Sequence, residues 1–185
     1  MTDPPSAVDQ SIHRVVLVGM MCSGKSAVGA ALARRLGWEH LDLDRVIERA
    51  AGRPIRDIFA DDGEAAFRRM EAEATARIAS LDGVVLSPGG GWMTNPDLLD
   101  SLGAGTLCVW LQVSPEEAVR RSGAAPGERP LLAGADPLAA VRRLIGERQR
   151  FYARAHLALP TDGRPVDALA DEIHNVIRSR TSVSG

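Results

Sequence analysis

Apolar residues recur along this chain with two different periods. Short runs that are continuous or alternating in apolar character are separated by longer stretches repeating every three to four residues. Residues 14–18, Arg14-Val15-Val16-Leu17-Val18, form a near-continuous β-branched run, as expected of a parallel strand covered on both faces. Residues 38–42, 83–87, 106–113 and 157–161 predict four further strands. Between them lie helical periods. Val28, Ala31, Leu32 and Leu36 share one face of a helix over 26–36, which Gly37 closes. A helix from Arg45 is broken by Gly52-Arg53-Pro54, and Ile55, Ile58 and Phe59 then form the stripe of a short one. Longer helices are predicted over 64–80, 137–155 and 166–177. Shorter ones follow Asn95-Pro96 and Ser114-Pro115-Glu116-Glu117, the latter with a Ser cap, a Pro at the first position and carboxylates at the positive end. Strands alternating with helices predict an α/β fold with a parallel sheet.

Composition narrows this picture in only a few places. At 185 residues the whole chain, 1–185, is expected to be one domain. A net charge of -2 gives no electrostatic case for a nucleic-acid partner. Three Phe, one Tyr and three Trp make no stacking platform for single strands. The first eleven residues are polar and read as no secretory signal. No stretch approaches the roughly 18 apolar residues that span a bilayer, so no membrane partner is expected. Cys22 and Cys108 are expected to be reduced, which fits a cytoplasmic protein. His13, His40, His156 and His174 have no ligand spacing and are taken as structural or exposed.

The chemistry begins directly after the first strand. Gly19-Met20-Met21-Cys22-Ser23-Gly24-Lys25-Ser26 matches the phosphate-cradling pattern G-x-x-x-x-G-K-[ST], in its required context of strand, loop and helix. Of the 22 basic residues, 21 are Arg, and Lys25 is the only Lys in the chain. Arg serves wherever a generic positive charge suffices. The compact ammonium is kept where a planar guanidinium is too wide for a nest of phosphate oxygens.

Several other features each carry two readings. Asp42-Leu43-Asp44 ends the second strand. Its carboxylates are either an acidic cap for the next helix or ligand-facing groups at the carboxyl edge of the sheet, able to hold magnesium or accept a proton. Arg68 and Glu71 are i and i+3 on one helix, either an exposed ion pair or an arginine aimed at an anionic substrate. Gly89-Gly90-Gly91 is either a permissive turn or a site of close backbone approach to a ligand. Trp92 behind it is a pocket wall or a core plug. Residues 122–136, rich in Gly, Ala and Pro, have the composition of a mobile flap, in which Arg129 is a surface charge or an embedded catalytic cation.

In this order and spacing, the loop at 19–26, Asp42-Leu43-Asp44, Phe67-Arg68-Arg69-Met70-Glu71, Gly89-Gly90-Gly91 and Arg129-Pro130-Leu131-Leu132 resemble the shikimate kinase family. The resemblance runs from about Arg14 to Ile177. It implies a P-loop kinase three-layer sandwich: a five-stranded parallel sheet with helices on both faces and a mobile lid. The core would be 12–178, the substrate-binding helices 45–80 and the lid 122–136. It implies ATP-dependent phosphorylation of the 3-hydroxyl of shikimate, with Mg2+ as cofactor, ATP and shikimate as partners, and a monomer.

By the same resemblance, Cys22, Ser23, Gly24, Lys25, Ser26 and Ala27 bind ATP. Ser26 ligates the metal and Asp42 stands in its outer shell. Asp44 takes the hydrogen bond of the reacting hydroxyl, and its proton too if the site has a general base. Arg68 and Arg148 clamp the substrate carboxylate, with Gly89, Gly90 and Gly91 closing over the ring. Arg148, just before Phe151-Tyr152, fits the second clamp position better than Arg150 does. Arg129 descends with the lid onto the phosphates, and Arg164 flanks adenine. Trp92 departs from the family pattern, which has a small residue there, and is expected to narrow the pocket. Another P-loop small-molecule kinase, such as a gluconate kinase, is the main rival. A guanine-reading switch is excluded, because its Asn-Lys-x-Asp segment needs a second lysine.

Overall fold

The computed structural model describes residues 11–123 and 136–181. Five strands, β1 (Arg14–Val18), β2 (Glu39–Asp42), β3 (Val84–Ser87), β4 (Thr106–Gln112) and β5 (Leu157–Pro160), pair entirely in parallel in the order β2-β3-β1-β4-β5. Val16 lies opposite both Leu86 and Cys108, so β1 is central. From β1 the chain crosses to one side for β2 and β3, then to the other for β4 and β5. In open α/β sheets a crevice forms outside the carboxyl ends of the strands where the winding direction reverses.

Alternation along β1 explains its unbroken apolar run. Val15 and Leu17 pack with Val28 and Leu32 of α1 (Lys25–Leu36) and with Leu169 and Ile173 of α8 (Val166–Thr181). Val16 and Val18 face the opposite layer. There they join Leu43 and Ile47 of α2 (Leu43–Ala51), Ile58 of α3 (Ile55–Asp61), Phe67 of α4 (Gly63–Ile78), Leu98 of α5 (Pro96–Ser101) and Tyr152 of α7 (Pro137–Tyr152). Each fully buried aliphatic side chain contributes about 1.5–3 kcal/mol. A third, smaller cluster joins Met20 to Ala118 of α6 (Pro115–Gly123) and to Val141 and Leu144 of α7. Arg14, the one charged residue of β1, seals the end of the sheet away from the crevice. Its guanidinium donates to Leu81 O at 2.7 Å and Leu102 O at 2.8 Å.

The α/β class, the parallel sheet and the two helical layers agree with the sequence pattern. Boundaries move by a few residues: α7 ends at Tyr152 rather than at 155, and α8 runs to Thr181 rather than to 177. Phe59, expected on a buried stripe, is 40% exposed and lies against Phe67 with ring centroids 4.8 Å apart. No helix among the described residues is long and apolar enough to cross a membrane.

Candidate active site

The phosphate loop joins β1 to α1. Gly19 has φ 143, and a Cβ there would stand 2.4 Å from Leu111 O, so no other residue fits. Gly24 takes φ 94 at the N-cap of α1 without a side-chain cap, so the first turn presents its amides and its positive dipole end to the crevice. Lys25 Nζ donates to Gly19 O at 2.9 Å and Met20 O at 3.0 Å, which holds the ammonium over the loop. Cys22, with φ 63, is the one non-glycine residue in the left-handed region among the described residues. Neither Cys22 nor Cys108 forms a disulfide, and burial pushes the Cys108 thiol up to about 12. Cys22, Gly24, Lys25, Ser26 and Ala27 line one wall of a cleft of about 350 Å³, and Ser23 lies buried beneath it.

Asp42, Asp44, Ser87, Gly89 and Gly90 line the opposite wall. The two aspartates do not share one extended segment, as their spacing suggested. The strand ends at Asp42, which caps α2 by accepting from Arg45 N at 3.3 Å, while Asp44 already lies in the first helical turn. The strand-to-helix junction, not strand alternation, brings both to the cleft. Asp44 Oδ1 is buried and has no hydrogen-bond partner. Burial, with Asp42 and Glu71 adding repulsion and Lys25 partly opposing them, pushes its carboxyl up to about 6. A buried acceptor left unsatisfied is costly, and such atoms mark functional positions.

The pair of Arg68 and Glu71 is not an exposed ion pair. Arg68 Nη1 donates to Glu71 Oε2 at 2.5 Å, and Arg68 Nη2 to Glu64 at 3.0 Å. The Glu71 side chain is only 2% exposed, against 35% for Arg68. Burial raises the Glu71 carboxyl, and the guanidinium opposes that shift.

None of Gly89, Gly90 and Gly91 takes a positive φ, so turn geometry does not require glycine there. Space is nonetheless tight there. A Cβ at Gly89 would stand 3.4 Å from Asp44 Oδ1, one at Gly90 3.2 Å from Arg148 Nη1, and one at Gly91 3.1 Å from Arg68 Nη2. The loop is thus where three side chains singled out in the sequence meet. Tyr152 Oη donates to Gly90 O at 2.6 Å and anchors it to α7. Arg150 lies over the Phe151 ring at 4.6 Å on the exposed side of α7, so Arg148 is the α7 arginine at the glycine loop. Trp92 is fully buried and lines neither wall, so it plugs the core and does not narrow the cleft.

A second cavity, of about 490 Å³, adjoins the loop and is lined by Gly24, Arg120, Arg121, Thr161, Arg164 and Pro165, among others. Arg164 stands at its edge, paired to Glu172 at 2.5 Å. Arg121, which sequence reasoning passed over, lines both cavities. It donates to Cys22 O at 3.1 Å and Thr161 O at 2.9 Å, and its Nε to Glu117 at 2.7 Å. In sequence, Arg120-Arg121 looks like ordinary basic residues near a helix C-terminus. Arg129 and most of the expected lid lie outside the described residues.

Ser26 and Asp42 reach one cleft, but among the described residues no group of three or more His, Cys, Asp or Glu side chains could enclose a metal.

A phosphate loop after the central strand, facing across one cleft the buried, unpartnered Oδ1 of Asp44 and the glycine loop, is the arrangement of a phosphotransferase of the P-loop kinase fold. A family model described as shikimate kinase matches residues 21–178. Shikimate kinase of Symbiobacterium thermophilum is 43% identical over 168 residues, covering 90% of this chain and 97% of the relative. That of Thermus thermophilus is 45% identical over 159 residues, covering 86% of each. A solved structure of shikimate kinase from Acinetobacter baumannii in complex with shikimate superimposes with a TM-score of 0.83 at 33% identity, over 92% of this chain and 95% of that one. The chain belongs to the shikimate kinase family, and its reaction is the ATP-dependent phosphorylation of shikimate. A gluconokinase from Sinorhizobium meliloti, 18% identical with a TM-score of 0.59, shares the fold alone.

Proposed function

We propose that the cleft performs this transfer with the following division of labour. Cys22, Ser23, Gly24, Lys25, Ser26 and Ala27 cradle the β- and γ-phosphates of ATP. The base lies in the neighbouring cavity beside Arg164, with Arg121 as a further wall. Ser26 and Asp42, directly and through water, would hold Mg2+, which neutralises charge on the β- and γ-oxygens when bound. Arg68 and Arg148 take the shikimate carboxylate, each able to bind it in a fork. Gly89, Gly90 and Gly91 leave room for the ring. Asp44 accepts the hydrogen bond of the 3-hydroxyl.

That hydroxyl oxygen forms a bond to the γ-phosphorus. The bond from the γ-phosphorus to the bridging oxygen breaks, ADP leaves with the electron pair, and the hydroxyl proton passes to Asp44. Lys25 and Arg129 balance charge on the transferring group. Positioning and charge stabilisation dominate because phosphoryl transfer asks for little covalent help. Within a single domain spanning 1–185, with a core of 12–178, residues 45–80 form the acceptor side and 122–136 the lid that excludes water. Reduced cysteines support a cytoplasmic location.

The observation that carries this reading is the buried, unpartnered Oδ1 of Asp44 across the cleft from the phosphate loop. A coupled ADP-release assay tests it. Shikimate should be turned over in preference to gluconate and nucleoside monophosphates, and Asp44→Asn should lower shikimate turnover by about 10²-fold or more without loss of ATP binding. An active Asp44→Asn enzyme would remove Asp44 from the chemistry.

A further inference from the structure

The apolar packing that joins α4 to the glycine loop has no directional preference of its own. The place of the Arg68 guanidinium depends on how α4 is set along its axis against that loop. A buried polar chain runs between the two. Trp92 Nε1 donates to Thr75 Oγ1 at 3.1 Å, and Thr75 Oγ1 donates to Glu71 O at 2.7 Å. Trp92 and Thr75 are both fully buried. A hydroxyl has one proton, so Thr75 gives it to the Glu71 carbonyl and accepts the indole proton. Leaving either bond unmade in a dry core is expensive, which makes the arrangement directional.

The groups stand in a ring, closed on one side by proximity rather than by a hydrogen bond. Glu71, whose carbonyl ends this chain, uses its carboxylate to hold Arg68 Nη1 at 2.5 Å. Arg68 Nη2 lies 3.1 Å from where a Cβ of Gly91 would be, and Gly91 is bonded in sequence to Trp92. Trp92 N also donates to Gly89 O at 3.1 Å, so the same residue folds the glycine loop.

We propose that Trp92 and Thr75 are positioning residues for the acceptor: the indole–hydroxyl–carbonyl chain registers α4 against the glycine loop and thereby places Arg68 for the substrate carboxylate. This rests on the reading of Arg68 as a carboxylate clamp. It assigns the departure at Trp92 a role in the reaction although that side chain never reaches the cleft.

Steady-state kinetics on Thr75→Val, Thr75→Ser, Trp92→Phe and Arg68→Ala, each with its thermal melt, test the ring. Thr75→Val keeps the shape and loses the hydroxyl. It should raise KM for shikimate roughly five- to tenfold, with KM for ATP and kcat within about twofold. Thr75→Ser, which keeps the hydroxyl, should restore the wild-type KM. Trp92→Phe should act like Thr75→Val, and the double variant should be no worse than the poorer single one, because both break one chain. Lower melting temperatures with unchanged KM would make Trp92 and Thr75 core filler and overturn the proposal. Equal rises in both KM values, from a general distortion, would also overturn it. If Arg68→Ala raises KM for shikimate while the Thr75 and Trp92 variants do not, the ring alone fails. If Arg68→Ala leaves that KM unchanged, the clamp reading fails and the ring with it.

Discussion

The two walls of the cleft are built on different principles. The phosphate-loop wall is one contiguous stretch, 19–27, shaped by Gly19 and Gly24 at positive φ and by an ammonium held by Gly19 O and Met20 O. The facing wall is assembled from the β2–α2 junction and the glycine loop, with Arg68 of α4 and Arg148 of α7 beside the glycines, segments that are far apart in sequence. Backbone amides at a helix start need only the right local φ and ψ. Side chains from four elements converge only if every helix packs in register. The first wall is therefore tolerant of the rest of the fold, and the second depends on it.

The largest test of this contrast is Lys25→Arg. It should lower kcat by about 10³-fold or more while the melting temperature stays near wild type, because the nest is specific for a compact cation. Near-normal turnover would show that the phosphate wall tolerates any positive charge and would end the argument from the single lysine.

Asp44→Asn should lower kcat by about 10²–10⁴-fold with ATP affinity within about twofold. It should also stabilise the protein when nucleotide and metal are absent. The Asp44 carboxyl rises from its ordinary 3.8 to about 6, so the native state holds a proton that the unfolded chain releases. Stability from this group is fully present below pH 3.8 and is lost as pH rises through about 6. At neutral pH the ionised carboxylate then costs on the order of 1–3 kcal/mol. Removing it should raise the melting temperature by ~3–8 °C at pH 7.5, and by less at pH 5. A lower melting temperature at both pH values would mean that Asp44 has partners in solution.

Arg68→Ala should raise KM for shikimate by about 10²-fold and KM for ATP by less than about threefold. It also leaves the Glu71 carboxylate buried without its guanidinium, so the melting temperature should fall. Equal losses for both substrates would erase the distinction between the two walls. The smallest expected effect is Cys22→Gly, which relieves a left-handed non-glycine residue in the phosphate wall. It should stabilise the protein by about 0.5–1 kcal/mol and leave kcat within about twofold, as read from chemical denaturation. A destabilised variant would mean that the Cys22 side chain makes contacts worth more than the strain.

The same contrast explains what was legible beforehand. The loop, its strand and its helix could be read together because motif and context are adjacent in the chain. Asp42 and Asp44 were legible as chemistry but not as geometry, since spacing alone could not tell an extended segment from a strand that turns into a helix at Leu43. The three glycines were legible as a crowded place, but not for their reason: the crowding comes from Asp44, Arg148 and Arg68 rather than from the turn. Arg121 was invisible, because its partners Cys22 and Thr161 lie about 99 and 40 residues away. The position of Trp92 in the chain suits a pocket wall as well as a core plug. Its indole finds a hydroxyl on α4, a pairing that no short-range pattern signals.

By itself, the sequence determined the α/β alternation, the double-sided burial of β1 and the phosphate nest. These follow from residue periodicity and from backbone conformations set by neighbours in the chain. Only the tertiary structure decided which of 21 arginines lie at the glycine loop, which aspartate keeps a buried oxygen without a partner, and how Trp92 ties that loop to α4. Those outcomes depend on the packing of helices against the sheet, where a few ångströms of sliding separate a solvated surface charge from a half-buried guanidinium at the glycine loop.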